Sequence, residues 1–460
     1  MLGILVSRAD SASVHIGEQL RAVADWETRE DDSRPDGAGG GTVYETEGAQ
    51  LREFGGRHLD IVRPAEAFDG IDLLAVASRH AGETGPLLTA HHTGNVGPAE
   101  HGGDDNALAE ACPNALGTVR EALERHAPPD YEVGIECTHH GPTDVGVPSL
   151  FVEVGSAEPQ WDDPDAARAV AQAILDLCET PPHRPPENGS WTDGSDTQRR
   201  RQLVGIGGGH YAPRFERVMA ETDWTVGHIL ADWGLDALGD LDTPAAESVL
   251  RQAFAESASA YALVEGTAAQ RVESLGYRAV SETWVRETDG VPLGFVRAVE
   301  DDVMTVDAGL RFGEPARDGA LPDTYRVVEL PADLLAEARG IDREATYEAL
   351  AATALAFGTD QGGTRPTGPL VLGPDTDRER VVEALLDVLA SKYDSVEVDE
   401  ETVVASQRVL DDEKARTLGV PEGPAFGKLA AGKPVEVDGE TIPPEAVHDE
   451  RTSRFPLSPE

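Results

Sequence analysis

Five of the thirteen histidines in this 460-residue chain fall in three short motifs, each directly after an apolar run. The motifs are His91-His92-Thr93-Gly94-Asn95, Glu136-Cys137-Thr138-His139-His140-Gly141-Pro142 and Gly207-Gly208-Gly209-His210-Tyr211-Ala212-Pro213. Imidazole beside carboxylate supplies either metal ligands or general acid and base groups. Because α/β proteins place their sites at the carboxyl ends of sheet strands, we expect the three motifs to form one site.

The candidate residues for this chemistry are imidazoles, carboxylates and one amide. They are His80, His91, His92, Asn95, Glu136, His139, His140, Glu153 and His210. Their spacing matches no zinc signature such as HExxH, so spacing alone leaves metal binding, acid–base chemistry and structural roles open. A single histidine near a strand end is more often a hydrogen-bonded structural residue, but three such clusters together favour a site.

The glycines before His210 allow two compatible interpretations. The N–H groups of Gly208 and Gly209 could bind a phosphate or stabilise an oxyanion. The run is also a tight turn from strand to helix, with Pro213 opening the helix. It lacks the spacing of a Walker loop or a dinucleotide fingerprint, so no nucleotide cofactor is indicated.

Arg199, Arg200 and Arg201 form the most concentrated positive charge in a chain of formal net charge −47. A basic run beside a site predicts phosphate contacts with a nucleic acid. A solvated loop end explains the same run equally well.

The acidic residues, 85 against 38 basic ones, are spread over the whole length. Such a charge destabilises a fold by self-repulsion, but molar salt shortens the screening length to about 3 Å. The composition therefore indicates a halophilic, cytoplasmic protein. The three cysteines show no CxxC spacing and indicate no disulfide framework. Residues 1–7 resemble a first strand rather than a signal peptide, and no apolar stretch approaches the length of a membrane span.

Apolar runs alternate with helix-period segments up to about residue 280, which predicts an α/β fold with a mostly parallel or mixed sheet. Predicted strands include Leu59–Arg63, Leu87–His91 and Thr225–Leu230, and surface loops are predicted at Glu27–Gly41 and Thr180–Thr197. After residue 280 we expect a smaller α+β extension. It would begin with a β-rich unit and continue with helices near Asp342–Phe357 and Asp377–Lys392. The predicted strands of that β-rich unit are Trp284–Arg286, Pro292–Val299 and Val303–Val306.

Residues 1–280 resemble the archaeal and plant class of D-aminoacyl-tRNA deacylases. The matching segments, in the expected order, are Ser78-Arg79-His80, His92–Asn95, Gly134–Pro142, Glu153-Val154-Gly155-Ser156, Gly207–Pro213 and Gly227-His228. The resemblance implies a catalytic domain with a three-layer α/β/α sandwich, similar to phosphorylases and hydrolases, and dependence on zinc. It also implies hydrolysis of the ester between a D-amino acid and the 3′ end of tRNA.

The resemblance assigns no residue-level mechanism, so the roles are hypotheses. The catalytic group would be His92, Asn95, Glu136, His140 and His210, and the metal ligands His80, His92, His139 and Glu153. Gly208, Gly209 and Arg199–Arg201 would bind the substrate. In a second version no protein base acts, and the vicinal ribose hydroxyl helps to expel the amino acid. Alternative functions are hydrolysis of another acyl or glycosidic bond, or tRNA binding without catalysis.

Residues 281–460 extend beyond the compact family pattern. Within them, the Gly/Pro-rich segment 418–443 is similar to part of the tRNA 3′-processing ribonucleases of the metallo-β-lactamase type. The HxHxDH metal motif of those enzymes is missing, so ribonuclease activity is not expected. The similarity suggests contact with the tRNA end, although a turn and hairpin would explain the segment equally well. No sequence feature requires more than a monomer, and no protein partner is indicated.

Overall fold

The apolar runs of the first half of the chain form the buried central strands of an eight-stranded sheet and two strands of a smaller one. The computed structural model describes residues 1–185, 201–317, 321–374, 376 and 378–457. These residues divide into two units, Met1–Asp289 and Gly290–Glu460. No helix in the described part of the chain is long and apolar enough to cross a membrane.

The first unit contains twelve strands among its described residues. They are β1 (Leu2–Ser7), β2 (Glu27–Asp31), β3 (Gly41–Thr46), β4 (Ala49–Phe54), β5 (Leu73–Arg79), β6 (Leu87–His91), β7 (Glu132–Ile135), β8 (Ser149–Gly155), β9 (Gln202–Ile206), β10 (Thr225–Leu230), β11 (Tyr261–Val264) and β12 (Arg278–Val280).

The strands form one mixed sheet and one parallel sheet. The large sheet has the order β2-β3-β4-β1-β5-β8-β6-β7 and the small sheet the order β10-β9-β11-β12. Strands β4, β1, β5 and β8 run parallel to one another. At the edges, β2, β3 and β4 pair antiparallel, and β6 is antiparallel to β8 but parallel to β7. Every residue of β1, β6, β8, β9 and β10 is buried, as expected for strands covered on both faces. The predicted mixed α/β fold is confirmed.

Nine helices connect these strands. They are α1 (Ser11–Val23), α2 (Pro113–His126), α3 (Glu158–Trp161), α4 (Pro164–Leu175), α5 (Pro213–Glu221), α6 (Asp232–Leu238), α7 (Pro244–Glu256), α8 (Ala269–Ser274) and α9 (Glu282–Glu287), counting described residues only. Proline at the start of α2, α4, α5 and α7 fits the first turn, where its missing N–H costs nothing. Helix α2 packs against both β6 and β10, so it joins the two sheets.

Several predicted elements are wrong. The strand predicted at Leu59–Arg63 is a 3-10 turn at His58–Asp60, followed by a second such turn at Pro64–Ala67. The loop predicted at Glu27–Gly41 contains β2, an acidic edge strand that pairs with β3. It was missed because its largely exposed residues show no apolar alternation. Of the second predicted loop, residues 180–185 are irregular and 186–197 lie outside the described residues.

The strands predicted at 284–286 and 292–299 are helical in the structure. Residues 282–287 form α9, where the side chain of Ser281 caps the helix by accepting from the Trp284 N–H at 2.9 Å. Residues 293–302 form a further helix, and 303–306 contains no strand. Short apolar runs do not distinguish strand from buried helix, and here the cap was the better signal.

The second unit combines seven helices and nine strands among its described residues. The helices are α10 (Leu293–Asp302), α11 (Glu314–Arg317), α12 (Ala332–Ile341), α13 (Arg343–Thr353), α14 (Arg378–Ala390), α15 (Asp412–Thr417) and α16 (Pro424–Ala430). The strands are β13 (Leu310–Phe312), β14 (Arg326–Val328), β15 (Ala356–Asp360), β16 (Arg365–Leu372), β17 (Ser395–Asp399), β18 (Thr402–Leu410), β19 (Val435–Val437), β20 (Glu440–Ile442) and β21 (His448–Pro456).

Three antiparallel sheets form in this unit, β13-β15-β16-β14, β17-β18-β21 and the hairpin β19-β20. The segment 418–443 contains α16 and the β19-β20 hairpin. Its apolar side chains Val420, Leu429, Val435 and Ile442 form a small core together with Ala415 and Val447 on either side of the segment. The segment is therefore a folded element rather than an extended loop.

Candidate active site

The histidine motifs meet because their strands are neighbours in the sheet. His80 follows β5, His91 ends β6, Glu136 follows β7, and Glu153 lies within β8. In the order β5-β8-β6-β7 these four residues lie on adjacent strands. The predicted convergence of the first two motifs therefore holds.

The third motif arrives from the small parallel sheet. A β-bridge pairs Glu136 with Tyr211, and the Cys137 N–H donates to the His210 carbonyl at 2.8 Å. Gly207 turns the chain after β9 with a φ of +102°, and a Cβ there would lie 2.7 Å from the Glu265 carbonyl oxygen. The turn therefore requires glycine at this position. It places His210 beside the motif that follows β7.

Glu136 is the buried centre of the cluster. Its Oε1 lies 3.0 Å from His80 Nδ1, and its Oε2 lies 2.8 Å from His210 Nε2 and 3.5 Å from His139 Nε2. The carboxylate is closed off from solvent, with a side-chain exposure of 0%. These are ion-pair distances, but no N–H in the described part of the chain meets either oxygen at a hydrogen-bonding angle. Among the described residues the carboxylate is therefore held by ion-pair contacts rather than by aligned hydrogen bonds.

The charges of Glu136 and His210 stabilise each other. Burial acts to raise the pKa of Glu136, but the ring nitrogens of His210 and His80 outweigh it and hold this pKa well below its usual range. The pKa of His210 rises to about 10 through its contacts with Cys137 and Glu136. We attribute most of this rise to Glu136, because the Cys137 sulfur lies 4.0 Å from His210 Nδ1. At neutral pH the pair is a carboxylate and an imidazolium.

A second carboxylate, Glu153, lies between two histidines. Its Oε1 is 3.5 Å from His91 Nε2 and its Oε2 is 3.8 Å from His80 Nδ1. Burial raises the pKa of Glu153. Burial acts in the opposite direction on His91, but the neighbouring Glu153 carboxylate outweighs it and raises the pKa of His91.

Three imidazoles share one hydrogen-bonding arrangement. Nδ1 of His91 lies 3.0 Å from the His92 carbonyl, Nδ1 of His139 lies 2.8 Å from the Cys137 carbonyl, and Nδ1 of His140 lies 2.7 Å from the Gly141 carbonyl. A carbonyl can only accept, so each Nδ1 carries the proton and each Nε2 is the nitrogen left for a ligand. One ring nitrogen from each of the three lies within 4.8 Å of the others.

These residues fit a metal ion. Metal-binding histidines usually donate their second N–H to a carbonyl or carboxylate, which fixes the ring and its tautomer. The buried Nε2 of His91 and both oxygens of Glu136 also have no hydrogen-bond partner among the described residues. Other groups of three potential ligands are Cys137, His139 and His210; His80, Glu136 and His210; and His91, Glu136 and Glu153.

His92 has a different place from the one that the sequence predicts. Its Nδ1 lies 3.0 Å from the Gly227 carbonyl, and its Nε2 accepts from the Cys112 N–H at 3.0 Å. Both nitrogens are thus engaged by backbone groups, and burial lowers the pKa of His92 to about 3. His92 belongs to none of the potential metal groups in the described residues. The residue that joins the cluster is its neighbour His91.

Asn95 lies at the pocket but holds a loop. Its Nδ2 donates to the carbonyls of Gly102 at 2.8 Å and Asp104 at 3.1 Å. The side chain therefore fixes the segment that forms one wall of the pocket. In this structure the amide N–H groups of Asn95 face protein carbonyls rather than open space.

The residues predicted to bind the substrate do not lie together in one place. Arg201 is 9% exposed, its Nε lies 2.9 Å from Asp223 Oδ2, and its Nη1 donates to the Thr288 carbonyl at 2.8 Å. Arg201 is thus part of the interior of the first unit. Arg199 and Arg200 lie outside the described residues. The N–H groups of Gly208 and Gly209 have no backbone or side-chain acceptor in the part of the chain described, and they directly precede His210.

A pocket of about 350 Å³ opens beside the cluster. It is lined by Gly94, Asn95, Val96, Pro98, Glu100, His101, His139, His140, His210, Trp233 and Ala237. A larger cavity of about 610 Å³ adjoins Met1, Leu2 and Leu73, at the opposite ends of β1 and β5. No group of three potential metal ligands among the described residues lines that cavity. The smaller pocket is therefore the candidate site.

Three residues that have no predicted role from the sequence also reach the cluster. Tyr211 places its hydroxyl 2.9 Å from His80 Nε2, and the indole N–H of Trp161 donates to the His80 carbonyl at 3.0 Å. Cys137 contacts His210. Tyr211 and Cys137 lie within the histidine motifs, and this position in the sequence is the signal that indicates them. Trp161 lies on a separate helix, α3, and no sequence pattern links it to the cluster.

The fold and the site define an α/β protein with a buried histidine–carboxylate centre suited to metal-assisted or acid–base chemistry. The family model for D-aminoacyl-tRNA deacylase matches residues 67–283, which include every member of the cluster. A D-aminoacyl-tRNA deacylase of Haloarcula marismortui is 56% identical over 99% of this chain and 100% of its own length. One from Natronomonas pharaonis is 52% identical with the same coverage.

The chain belongs to the D-aminoacyl-tRNA deacylase family. This confirms the resemblance seen in the sequence, and the haloarchaeal relatives align with both units. A solved structure of a conserved protein of unknown function is 27% identical, with a TM-score of 0.52. It covers 63% of this chain and 98% of its own. That structure supports the fold.

Proposed function

We propose that the protein hydrolyses the ester that joins a D-amino acid to the 3′-terminal ribose of tRNA. The reaction would take place in the pocket beside Glu136 and would release free tRNA and the D-amino acid. The observation that supports this most directly is the convergence of His91, His139 and His140 beside two buried carboxylates. Membership of the deacylase family gives the substrate class.

We propose zinc as the metal and His91, His139 and His140 as its ligands. Three histidines that leave one coordination position open are a ligand set of catalytic zinc. Bound there, zinc would polarise the ester carbonyl and make water more acidic. Compared with the set expected from sequence, His91 replaces His92 and His140 is added. Glu153 lies 3.5 Å from the ligating Nε2 of His91, and His80 contacts the carboxylates of Glu136 and Glu153 rather than the ligands.

The protein's own groups would stabilise the negative charge that develops on the ester oxygen during hydrolysis. The His210 imidazolium, held by Glu136, adds a positive charge to the pocket wall. The unpaired N–H groups of Gly208 and Gly209 lie next to it in the chain and would act as oxyanion donors. The buried walls lower the local dielectric, which strengthens these interactions. Asn95 keeps the 102–104 loop in place.

The test is hydrolysis of D- and L-aminoacyl-tRNA by the purified full chain in molar KCl. We expect release of the D-amino acid alone, and alanine at His140 or His210 should reduce the rate at least about 100-fold. Binding without release would favour a tRNA-binding protein. Equal turnover in both variants would contradict the site.

Chelation followed by zinc add-back tests the metal. We expect activity to disappear and return, and activity that is untouched by chelators would contradict a zinc role. Substrate whose terminal ribose lacks the 2′-hydroxyl then separates the two mechanisms. Undiminished hydrolysis of that substrate would show that the vicinal hydroxyl is not needed.

A further inference from the structure

Two aromatic side chains stand exposed beside the candidate active site. Trp233 is 49% exposed and Tyr211 is 38% exposed, and they are the only aromatic members of the exposed large apolar set among the described residues. By contrast, Trp224 and Trp284 are fully buried. An exposed tryptophan costs hydrophobic stabilisation, so its position at the mouth of a pocket points to a ligand.

The two aromatics differ in what they can offer. Tyr211 is tied into the cluster, because its hydroxyl contacts His80 and its ring meets the His210 ring edge-on at 5.0 Å. Trp233 has no ring partner, cation partner or hydrogen-bond acceptor in the described part of the chain. Its ring is therefore the aromatic surface of this pocket that is open to a ligand.

Helix α6 holds Trp233 firmly against the pocket. The Asp232 N–H donates to the Gly208 carbonyl at 2.9 Å, which ties the start of the helix to the turn before His210. A Cβ at Gly234 would lie 3.0 Å from the Val96 Cβ, so glycine permits this close approach. Leu235 and Leu238 pack into the core cluster that includes Val96. The inner side of α6 is buried and Trp233 is left at the pocket.

The lining of the pocket favours a neutral, flat ligand group. Among the described residues that line it there is no lysine or arginine, and the negative charge of Glu100 opposes the positive charge of His210. Apart from His210, this lining therefore offers no cationic side chain to a phosphate, in a chain of net charge −47. Aromatic side chains stack on the π-face that every nucleobase has, so such stacking tolerates any base identity. A nucleobase therefore suits the Trp233 side of the pocket better than a phosphate does.

We propose that Trp233 is the stacking platform for the terminal base of the tRNA substrate. This inference rests on the proposed function. The base and the aminoacyl ester are substituents of the same ribose, so an ester held at the histidine cluster places that base within one sugar of it. Trp233 lines the same pocket as His139, His140 and His210. Stacking on Trp233 would position the ester without a phosphate contact in this pocket.

The test uses steady-state kinetics of the full chain with D-tyrosyl-tRNA at constant KCl. We expect Trp233→Leu, which keeps an apolar side chain but no π-face, to raise KM about 10- to 100-fold with little change in kcat. Trp233→Phe should recover most of the loss. Wild-type KM in Trp233→Leu would overturn the inference, and so would a Trp233→Phe variant as impaired as Trp233→Leu.

Two minimal substrates separate stacking from a general defect. Wild type and Trp233→Leu are compared on the 3′-D-tyrosyl ester of adenosine and on the same ester of an abasic ribose. We expect the loss in Trp233→Leu to be present with adenosine and absent without the base. An equal loss on both esters would overturn the inference. Failure of wild type to hydrolyse D-tyrosyl-tRNA at all would instead contradict the proposed function.

A binding readout independent of turnover completes the test. Adenosine monophosphate should quench part of the tryptophan fluorescence of wild type and should not quench it in the Trp233→Leu variant. Equal thermal unfolding of the two proteins would show that the substitution leaves the fold intact. The same quenching in both proteins would overturn the inference.

Discussion

Nε2 of His210 lies 2.8 Å from Oε2 of Glu136, and this contact joins the two sheets of the first unit. Glu136 follows a strand of the eight-stranded sheet, whereas His210 follows a strand of the four-stranded parallel sheet. The charged pair therefore exists only when both sheets are correctly assembled. The positive charge of His210 in the pocket wall therefore depends on the packing of the two sheets against each other.

Replacing Glu136 with glutamine should uncouple the pair. The amide has no charge to hold the His210 imidazolium, so the pKa of His210 should fall from about 10 toward its ordinary value. We expect kcat to fall at least about 100-fold. NMR titration of His210 in chelator-treated protein measures the pKa, and deacylation kinetics measure the rate.

Glu158→Gln is the matched control. It makes the same carboxylate-to-amide change at an exposed position on α3, outside the cluster. It should leave both readouts unchanged. A Glu136→Gln variant with wild-type kcat and an unshifted His210 titration would contradict the role assigned to the pair.

Metal content should distinguish His91 from its neighbour His92. We expect His91→Ala to lose the zinc proposed above, since a ring nitrogen of His91 lies within 4.8 Å of ring nitrogens of His139 and His140. His92→Ala should keep its zinc but lose stability, because the Gly227 carbonyl and the Cys112 N–H become unpaired in the interior. Each unsatisfied group costs about 1–3 kcal/mol. Elemental analysis and urea unfolding of the two variants measure both effects.

Loss of zinc in His92→Ala, with retention in His91→Ala, would restore the ligand set expected from sequence and contradict the one proposed from the structure. His139→Ala and His140→Ala should behave like His91→Ala, because all three rings have the same Nδ1 arrangement.

The sequence predicts that the three motifs meet, as they do in the structure, but it does not show which of two adjacent histidines faces the cluster. Successive residues of a strand point to opposite faces, so His91 and His92 at the end of β6 cannot both enter the cluster. Every residue of β6 is buried, so its two faces cannot be told apart by an alternation of polar and apolar residues in the sequence. Only the positions of β7 and β8 beside β6 decide which face contains the carboxylates.

The same limit of sequence patterns applies to the prediction of strands and helices. Continuous apolar runs such as β6 and β10 were predicted with their observed bounds, because burial on both faces marks the whole strand. Short runs such as 284–286 were placed in the wrong class, since three residues do not define a period. Pairing of the polar edge strand β2 depends on β3, a tertiary contact that local pattern does not report.

Arg201 should prove to be a stabilising residue. Its pairing with Asp223 and the Thr288 carbonyl predicts that Arg201→Gln lowers the free energy of unfolding by about 1–3 kcal/mol. At permissive temperature the salt dependence of tRNA binding should not change. Charge reversal at Arg199 and Arg200 is the comparison, since a phosphate-contacting pair would weaken binding and flatten its salt dependence. An unaltered stability in Arg201→Gln would contradict the structural role.

The buried histidine His228 should make the protein sensitive to mild acid. Its Nε2 donates to the Ala109 carbonyl at 2.8 Å, and its Nδ1 accepts from the Thr138 hydroxyl at 3.0 Å, so the ring is neutral. Burial lowers the pKa of His228 to about 4 in the folded protein. The unfolded chain has the ordinary value of about 6.5, so it binds a proton first as the pH falls.

The contribution of His228 to the free energy of unfolding should therefore be fully present above pH 6.5 and should decline progressively toward pH 4. For one such histidine the loss at pH 5 is roughly 2 kcal/mol. Urea unfolding of wild type and His228→Gln at constant molar KCl measures it, since salt screens the titrating carboxylates equally in both. The variant should be less stable at pH 7.5, yet lose about 2 kcal/mol less than wild type between pH 7.5 and pH 5. Parallel pH profiles would mean that the folded protein protonates His228 as readily as the unfolded chain does.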